Sequence, residues 1–251
     1  FYNEMLADTV ALLEREGLAE ESEGALVVRL EDEGLPVCIV RKSDGGYNYA
    51  TTDIATVRSR VAEFAPGRVI YVTDERQQLH FRQFFTVCAK LGITTQLKHV
   101  WFGLMRLPEG TFSTRQGNVI KLEALLDEAV QRARAIIDES DSSMSEVEKS
   151  ELAAQIGIGA VKYADLSHDP QNMIVFTWDK ALALDGNSGP YLQYAHARIC
   201  SLLDKYSEMV PECEPRSLTM LVEGALERAL VLQLLRFPTT VQRAAEACKP
   251  S

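Results

Sequence analysis

The sequence lacks the features of several common protein classes. No run of apolar residues approaches the roughly 18 that a membrane-spanning helix needs, and the first residues have neither the basic region nor the apolar stretch of a signal peptide. The five cysteines are odd in number and scattered, with no C-x-x-C pair, which favours free thiols over a disulfide framework or a zinc site. We therefore expect a cytoplasmic protein with no membrane partner and no metal held by its side chains.

Several catalytic motifs and any excess of basic charge are also missing. The chain has no Walker A loop, no G-x-G-x-x-G fingerprint, no H-E-x-x-H and no G-x-S-x-G, which removes the usual support for a P-loop NTPase, a metalloprotease or an esterase. Lys and Arg number 26 against 36 Asp and Glu, a net charge of −10. Ten of these acids and only two of the bases lie within 1–35. The remainder of the chain is nearly neutral, so its net charge does not exclude a local basic groove that binds nucleic acid.

The size and composition are those of a globular protein. The 251 residues are 46% apolar and 25% charged, enough for one large domain or two modest ones. The chain opens with Phe1 rather than methionine, and we interpret it as a piece of a longer protein.

The first half alternates helical and strand patterns. Apolar residues at three- and four-residue spacing predict helices over 4–16 and 78–91, and a helix with an apolar face formed by Ile54, Val57, Val61 and Phe64. Short β-rich runs predict strands over 25–30, 35–40, 68–73 and 99–104, the first two joined by an acidic turn. Strands that alternate with helices imply parallel βαβ units of an open α/β sheet, in which ligands bind beyond the carboxyl ends of the strands.

The second half reads as helical. We predict helices over 121–138, 145–164, 189–206 and 217–236, and no convincing strand after Lys121. A turn-rich stretch over 185–190 precedes a helix whose first turn accommodates Pro190. We place the domain boundary there, between 1–185 and 186–251.

Two polar clusters follow predicted strands of the first half. Tyr49 and Asp53 enter a helix together, and the carboxylate could hold a cation. The favoured interpretation is that Thr52 or Asp53 caps the helix, and the two roles are compatible. Gln77 and His80 lie at the mouth of the next helix. A lone histidine carries little information, so a hydrogen-bonded histidine on a partly buried face is the favoured interpretation of His80.

Two further segments contain residue types suited to phosphate and RNA. Ser113, Thr114 and Arg115 lie in a glycine-containing loop that could clamp phosphate, or could simply be a solvated surface loop. Tyr191 and Tyr194 share a helix face near Arg198, which would suit stacking on RNA bases. Core packing of the two tyrosines is the favoured alternative.

Read together, these blocks resemble the arginyl-tRNA synthetases, and their order and approximate spacing match that family. The blocks are R-K-S-D-G-G-Y-N-Y-A-T-T-D at 41–53, I-Y-V at 70–72, Q-x-L-H at 77–80, H-V-W-F-G at 99–103, F-S-T-R-x-G at 112–117, V-K-Y-A-D-L at 161–166 and G-N-S-G-P-Y-L-Q-Y-A-H-A-R at 186–198. The resemblance runs from the first residue to about Arg198 and more loosely beyond, where L-R-F-P at 235–238 also matches.

The resemblance implies an α/β fold and an activity. Residues 1–185 would form the second half of a class I Rossmann-like catalytic domain, with an acidic helix and hairpin at 1–42, and 186–251 would begin a helical anticodon-binding domain. The family activates L-arginine with ATP to arginyl-adenylate, releases pyrophosphate and transfers the arginyl group to tRNA(Arg). Mg²⁺ is the usual companion of the ATP phosphates.

The resemblance also assigns site residues. Tyr49, Asp53 and Gln77 match the arginine pocket of the family, which fits the need of a guanidinium for a carboxylate and neighbouring acceptors. The resemblance further assigns residues that contact ATP and tRNA. The ATP contacts would be His80, His99, Phe102 and Gly103, and the tRNA contacts would be Tyr191, Tyr194 and Arg198.

The loop at 112–117 departs from the K-M-S-K-S pattern of class I synthetases. Phe112 replaces methionine, and Thr114 and Arg115 stand where lysine and serine are expected. The resemblance assigns Ser113, Thr114 and Arg115 to stabilisation of the leaving pyrophosphate, which is a task for positioning and charge.

A larger departure is the absence of an H-x-G-H block, which in the family lies upstream and binds ATP. We therefore interpret the chain as a fragment of such a synthetase, and two alternatives stay open. The chain could belong to a non-catalytic synthetase-like module that binds arginine or RNA, or to another class I synthetase, such as one for glutamine or cysteine.

We predict that the 251-residue chain alone will not charge tRNA(Arg), because the ATP-binding H-x-G-H block is not part of it. The measurement is aminoacylation of tRNA(Arg) with labelled arginine by the purified chain. Charging that depends on arginine, ATP and tRNA together would refute the interpretation as a fragment.

Overall fold

The computed structural model describes residues 2–107, 110–111, 121–140, 143–209 and 221–251. The chain divides into two compact units, 1–102 and 103–251. Among the described residues, no helix combines the length and the apolar character needed to cross a membrane.

The first unit begins with a helix and a small antiparallel sheet. Helix α1 (Leu6–Arg15) follows a 3₁₀ turn, and its buried apolar face confirms the predicted helix. The sheet has the order β1 (Ala19–Ser22), β2 (Ala25–Val28), β3 (Cys38–Arg41). The predicted hairpin is confirmed as the antiparallel pair β2–β3, whereas β1 was missed because its residues, A-E-E-S, lack a β-rich pattern.

The rest of this unit is a βαβ arrangement. Helix α2 (Tyr49–Phe64) leads to β4 (Arg68–Asp74), α3 (Gln78–Lys90) and β5 (Gln96–Phe102). The two strands pair in parallel with Tyr71 opposite His99, which confirms the predicted parallel pairing. Strand β5 begins three residues before the predicted start at 99.

One buried cluster holds this unit together. Apolar residues from α1, α2, α3 and the antiparallel sheet contribute to it, including Leu13, Val28, Ile54 and Phe84. Each of these side chains is almost fully removed from solvent, which stabilises the fold by roughly 1.5–3 kcal/mol per side chain. Phe64, the last residue of the predicted apolar face of α2, is 66% exposed and lies outside this cluster.

The second unit contains one short sheet. Strands β6 (Met105–Leu107), β7 (Gly110–Thr111) and β8 (Ile174–Val175) form the order β7-β6-β8, with β8 parallel to β6. The expectation of no strand after Lys121 is therefore wrong for β8. Two residues are too short to produce a periodic pattern, so only the pairing with β6 reveals this strand.

Helices make up most of the second unit. They are α4 (Leu122–Glu139), α5 (Glu146–Leu166), α6 (Trp178–Ala181), α7 (Gly189–Met209) and α8 (Ala225–Ala247). Helix α5 starts with a complete capping box between Ser145 and Glu148, and Pro190 lies in the first turn of α7 as predicted. The predicted bounds of the last helix are wrong. It begins at Ala225 rather than 217 and continues through Pro238 to Ala247.

Helices α4 and α5 approach each other closely at Gly157. A Cβ atom at Gly157 would lie 2.6 Å from the backbone carbonyl of Ala129 on α4. Helix α7 approaches α5 in a similar way, since a Cβ at Gly189 would lie 2.9 Å from the carbonyl oxygen of Gly159. Small residues at these contacts allow the helix backbones to meet.

Most side chains of α7 and α8 are exposed. Only Gly189 and Pro190 are buried in α7, and no residue is buried in α8. Large apolar side chains such as Leu202, Leu226 and Phe237 are more than 60% exposed. These two helices therefore hold few of the core contacts of the unit.

The described cysteines are free thiols, as the sequence indicates. Cys38 and Cys88 are buried, Cys200 is exposed and Cys248 is intermediate, while Cys213 lies outside the described residues. Burial raises the pKa of Cys38 to about 11 and the pKa of Cys88 to about 12. Both thiols are therefore protonated at neutral pH and poor nucleophiles.

We predict that Gly157→Ala lowers the free energy of unfolding by about 1–3 kcal/mol, because the added methyl group would collide with backbone atoms of α4. Urea unfolding followed by circular dichroism measures the change. Gly159→Ala is the matched control on the same helix. There the neighbour within 3 Å is the flexible end of Gln193, so we expect an unchanged or slightly higher stability. Equal losses in both variants would contradict the proposed backbone contact.

Candidate functional site

The start of helix α2 positions Tyr49 and Asp53. Tyr49 is the first residue of the helix, and the side chain of Asn48 caps it by accepting a hydrogen bond from the Tyr49 N–H at 2.9 Å. The suggestion that Thr52 or Asp53 caps the helix is therefore wrong. Thr51 anchors this end of α2, since its buried hydroxyl donates to the carbonyl oxygen of Val40 on β3. Asp53 is thereby free for a role other than capping.

Asp53 and His80 are joined across two helices. The His80 Nε2 lies 2.6 Å from Asp53 Oδ2, although the two residues are 27 positions apart. An ionised carboxylate can only accept, so Nε2 carries the proton and donates it. The side chains are 29% and 31% exposed, and the pair is thus reachable from solvent. The sequence-based interpretation of His80 as a hydrogen-bonded, partly buried histidine is confirmed.

Tyr49 lies on the same helix as Asp53, and Gln77 directly precedes the helix that contains His80. Tyr49 is one turn before Asp53 on α2, at a spacing of four residues that places both on one face, and its side chain is 80% exposed. Gln77 ends a 3₁₀ turn after β4 and directly precedes α3, one turn before His80. The fold therefore brings Asp53 and His80 into contact, with the exposed Tyr49 and Gln77 each one turn before one of them along the chain.

His99 belongs to an adjoining aromatic arrangement. Its Nε2 lies 2.8 Å from Thr73 Oγ1 on β4, and its ring stacks on Phe81 with centroids 4.1 Å apart. Burial lowers the pKa of His99 below its usual value, and the charge of His80 contributes in the same direction. His99 is therefore neutral at physiological pH.

Phe102 and Gly103 lie at the carboxyl end of β5 and just after it. Phe102 is 42% exposed, which leaves much of its ring accessible. Gly103 belongs to the second unit, where its N–H donates to the carbonyl oxygen of Pro170 at 2.8 Å. A Cβ there would lie 2.9 Å from the carbonyl oxygen of Asn172, so this position also requires glycine for packing.

The predicted phosphate loop lies outside the described residues. Ser113, Thr114 and Arg115 fall within 112–120, and the structure adds nothing to their assignment.

The predicted RNA-contacting residues lie on the exposed surface of α7. Tyr191 is 40% exposed and Tyr194 is 50% exposed, so the core-packing interpretation of these tyrosines is wrong. Arg198 donates a hydrogen bond to the hydroxyl of Tyr194 at 3.1 Å, and its guanidinium carbon lies 5.6 Å from the centroid of that ring. An accessible arginine held against an aromatic ring can contact phosphates or stack on bases.

Sequence reasoning missed the residues that support the site. Asn48, Thr73 and Phe81 each fix the position of a candidate residue through a cap, a hydrogen bond or a ring contact. The only available signal was local, such as the preference of asparagine for helix caps. The Asp53–His80 bond has no sequence signal, since the spacing of 27 residues matches no local motif.

Comparison with known families gives two matches that together span most of the chain. A family model for the catalytic domain of class I tRNA synthetases, type R, matches residues 1–178. A second model, for the DALR anticodon binding domain, matches residues 192–251. The predicted boundary between 185 and 186 lies in the gap between these matches and stays a prediction.

Curated relatives agree with this family. The chain is 45% identical over 252 residues to an arginine–tRNA ligase of Fusobacterium nucleatum, and 42% identical over 257 residues to one of Chloroflexus aurantiacus. Each alignment covers 100% of this chain and 44% of the relative. The chain thus spans less than half the length of these relatives.

Solved structures give the same result. The arginyl-tRNA synthetase of Thermus thermophilus matches with a TM-score of 0.81 at 27% identity, over 98% of this chain and 47% of that one. The enzyme of Plasmodium falciparum matches with a TM-score of 0.79 at 25% identity, over 98% of this chain and 42% of that one. These likenesses confirm the predicted α/β fold class followed by a helical segment. By sequence and by fold, the chain belongs to the arginyl-tRNA synthetase family of class I.

Proposed function

We propose that the full-length protein is an arginine–tRNA ligase of the cytoplasm. It activates L-arginine with ATP to arginyl-adenylate and transfers the arginyl group to tRNA(Arg). The chain described here contributes the residues that recognise the guanidinium and those that face the departing pyrophosphate. Family membership supports the reaction, and the geometry around Asp53 supports the choice of substrate.

The carboxylate of Asp53 is the observation that carries the proposal. It is partly open to solvent, and His80 Nε2 bonds it at Oδ2. A carboxylate has several acceptor sites, so Asp53 can bond His80 and still accept from a guanidinium. Tyr49, one turn earlier and largely exposed, can add its ring and hydroxyl, and Gln77 can add polar contacts.

The adenylation step asks the protein for positioning and charge rather than for a covalent intermediate. The carboxylate of arginine attacks the α-phosphorus of ATP, and the bond to pyrophosphate breaks. We propose His99, Phe102 and Gly103 as contacts of the nucleotide. Ser113, Thr114 and Arg115 would stabilise the leaving group. Mg²⁺ would neutralise charge on the phosphates, and no described residue is assigned to it as a ligand.

The exposed face of α7 is the proposed contact with tRNA. Tyr191, Tyr194 and Arg198 lie within the proposed helical domain 186–251, and the accessible arginine–tyrosine pair supports this role. Aromatic and guanidinium groups together bind RNA through stacking and phosphate contacts.

A second candidate function is a synthetase-like module that binds arginine or RNA without catalysis. The altered loop favours it, since Phe112, Thr114 and Arg115 replace the usual residues of the K-M-S-K-S pattern. An intact H-x-G-H block in the full-length protein, together with charging of tRNA(Arg), would eliminate this candidate. A synthetase for glutamine or cysteine is set aside, because the family match is to the arginine type.

We predict that the full-length protein binds L-arginine at least roughly 30-fold more tightly than L-citrulline, which keeps the shape of arginine but has no positive charge. Titration calorimetry of both ligands measures the ratio. The same titration with the 251-residue chain tests whether the pocket is preformed in it. Equal affinities in the full-length protein would refute the arginine assignment.

We predict that Asp53→Asn lowers kcat/KM for arginine by at least roughly 100-fold, because the guanidinium loses its charged partner at a cost of about 3–5 kcal/mol. Steady-state aminoacylation by the full-length protein measures it. Glu63→Gln, an acid-to-amide change at an exposed position near the far end of α2, is the matched control and should leave kcat/KM unchanged.

We also predict that Tyr49→Ala raises KM for arginine while the free energy of unfolding stays within about 0.5 kcal/mol of wild type, since the ring is 80% exposed. Aminoacylation kinetics and urea unfolding of the same preparation provide the two values. A large loss of stability would indicate a structural role for Tyr49 instead.

A further inference from the structure

We propose that His80 is a positioning residue for arginine recognition. Its Nε2–H holds one carboxylate oxygen of Asp53 and thereby fixes the plane of the group that receives the guanidinium. The inference rests on the proposed arginine-binding role of Asp53. It differs from the family-based assignment of His80 to the ATP site, and the two roles predict effects on different substrates.

The first argument is the rigidity of the His80 ring. It packs edge-on against Phe81, with centroids 5.6 Å apart, and at a tilt against Phe84, at 5.3 Å. Phe81 is 4% exposed and Phe84 is completely buried, so both rings are fixed in the core. A histidine held on two immobile rings can hold its hydrogen-bond acceptor in turn.

The second argument is that the aromatic support extends to the parallel strands. Phe81 also stacks on His99, which bonds Thr73 on β4. The orientation of Asp53 on α2 is thus tied, through His80 and Phe81, to the strand pair at the base of the site. Tyr71 on β4 joins the same cluster through contacts with Phe81 and Phe84.

The third argument concerns the acceptor sites of the carboxylate. The His80 ring reaches Asp53 through one nitrogen, Nε2, which bonds Oδ2 at 2.6 Å. Each carboxylate oxygen has two acceptor sites, so Asp53 can bond His80 and a guanidinium at the same time.

Fixing the carboxylate before binding matters because a flexible one must be ordered by the substrate. The free-energy cost of that ordering reduces the binding free energy, so a preorganised carboxylate binds the guanidinium more tightly. Loss of one hydrogen bond to a charged group corresponds to roughly a tenfold or larger change in affinity.

The test compares His80→Leu, His80→Asn and His80→Gln in steady-state aminoacylation by the full-length protein. Gln can place an amide N–H near the position of Nε2, whereas Asn is one methylene shorter and cannot reach it. We expect KM for arginine to rise roughly tenfold in the Leu and Asn variants and to be largely restored in the Gln variant, with KM for ATP unchanged. His168→Leu, the same change at an exposed histidine of the second unit, is the control and should leave both values unchanged.

A double-mutant cycle supplies the decisive comparison. If His80 acts through Asp53, the Leu substitution has no further effect on KM for arginine once Asp53→Asn is present. Additive effects would overturn the inference, as would an unchanged KM for arginine in the Asn variant or a rise in KM for ATP alone. If His80→Leu does not fold, the same double-mutant cycle with Asp53→Asn is measured with the Asn and Gln variants of His80. Failure of the wild-type protein to use arginine would instead refute the proposed function itself.

Discussion

The aromatic core beneath α3 is the constraint on which the candidate site depends. Phe84 is completely buried, Phe81 is nearly so, and Tyr71 from β4 packs against both. These contacts fix the rotation of α3 about its axis, because turning the helix would expose rings that stabilise the fold by burial. The rotation in turn sets where His80 stands and hence where its hydrogen bond holds Asp53 on α2. Hydrophobic packing in the core thus sets the positions of His80 and Asp53 at the surface.

The second unit relies on a different constraint, the close approach of helix backbones. Gly157 and Gly189 leave no room for a Cβ against α4 and α5, so the helices meet through their main chains. Helices α7 and α8 add few buried side chains and keep their surfaces exposed. This division suits the proposed roles, since a rigid pair of helices supports an α7 whose accessible Tyr194 and Arg198 can contact RNA.

Much of the fold could be predicted from the sequence, because local patterns encode local structure. Periodic apolar residues located α1, α3 and α5, and the alternation of strands with helices indicated the parallel pair β4–β5. The failures have physical reasons. Strand β8 is too short for a pattern, Phe64 lies past the part of α2 that packs on the core, and Tyr191 and Tyr194 face solvent on a helix with few partners.

The sequence by itself determined most of the elements, the family resemblance and the identity of the residues that match the arginine pocket, since these depend on residue type and order along the chain. Only the tertiary structure decided which residues meet. It joined His80 to Asp53 across 27 positions and set His99 between Thr73 and Phe81. The reason is that helix packing and strand register bring together side chains whose separation in the sequence carries no signal of contact.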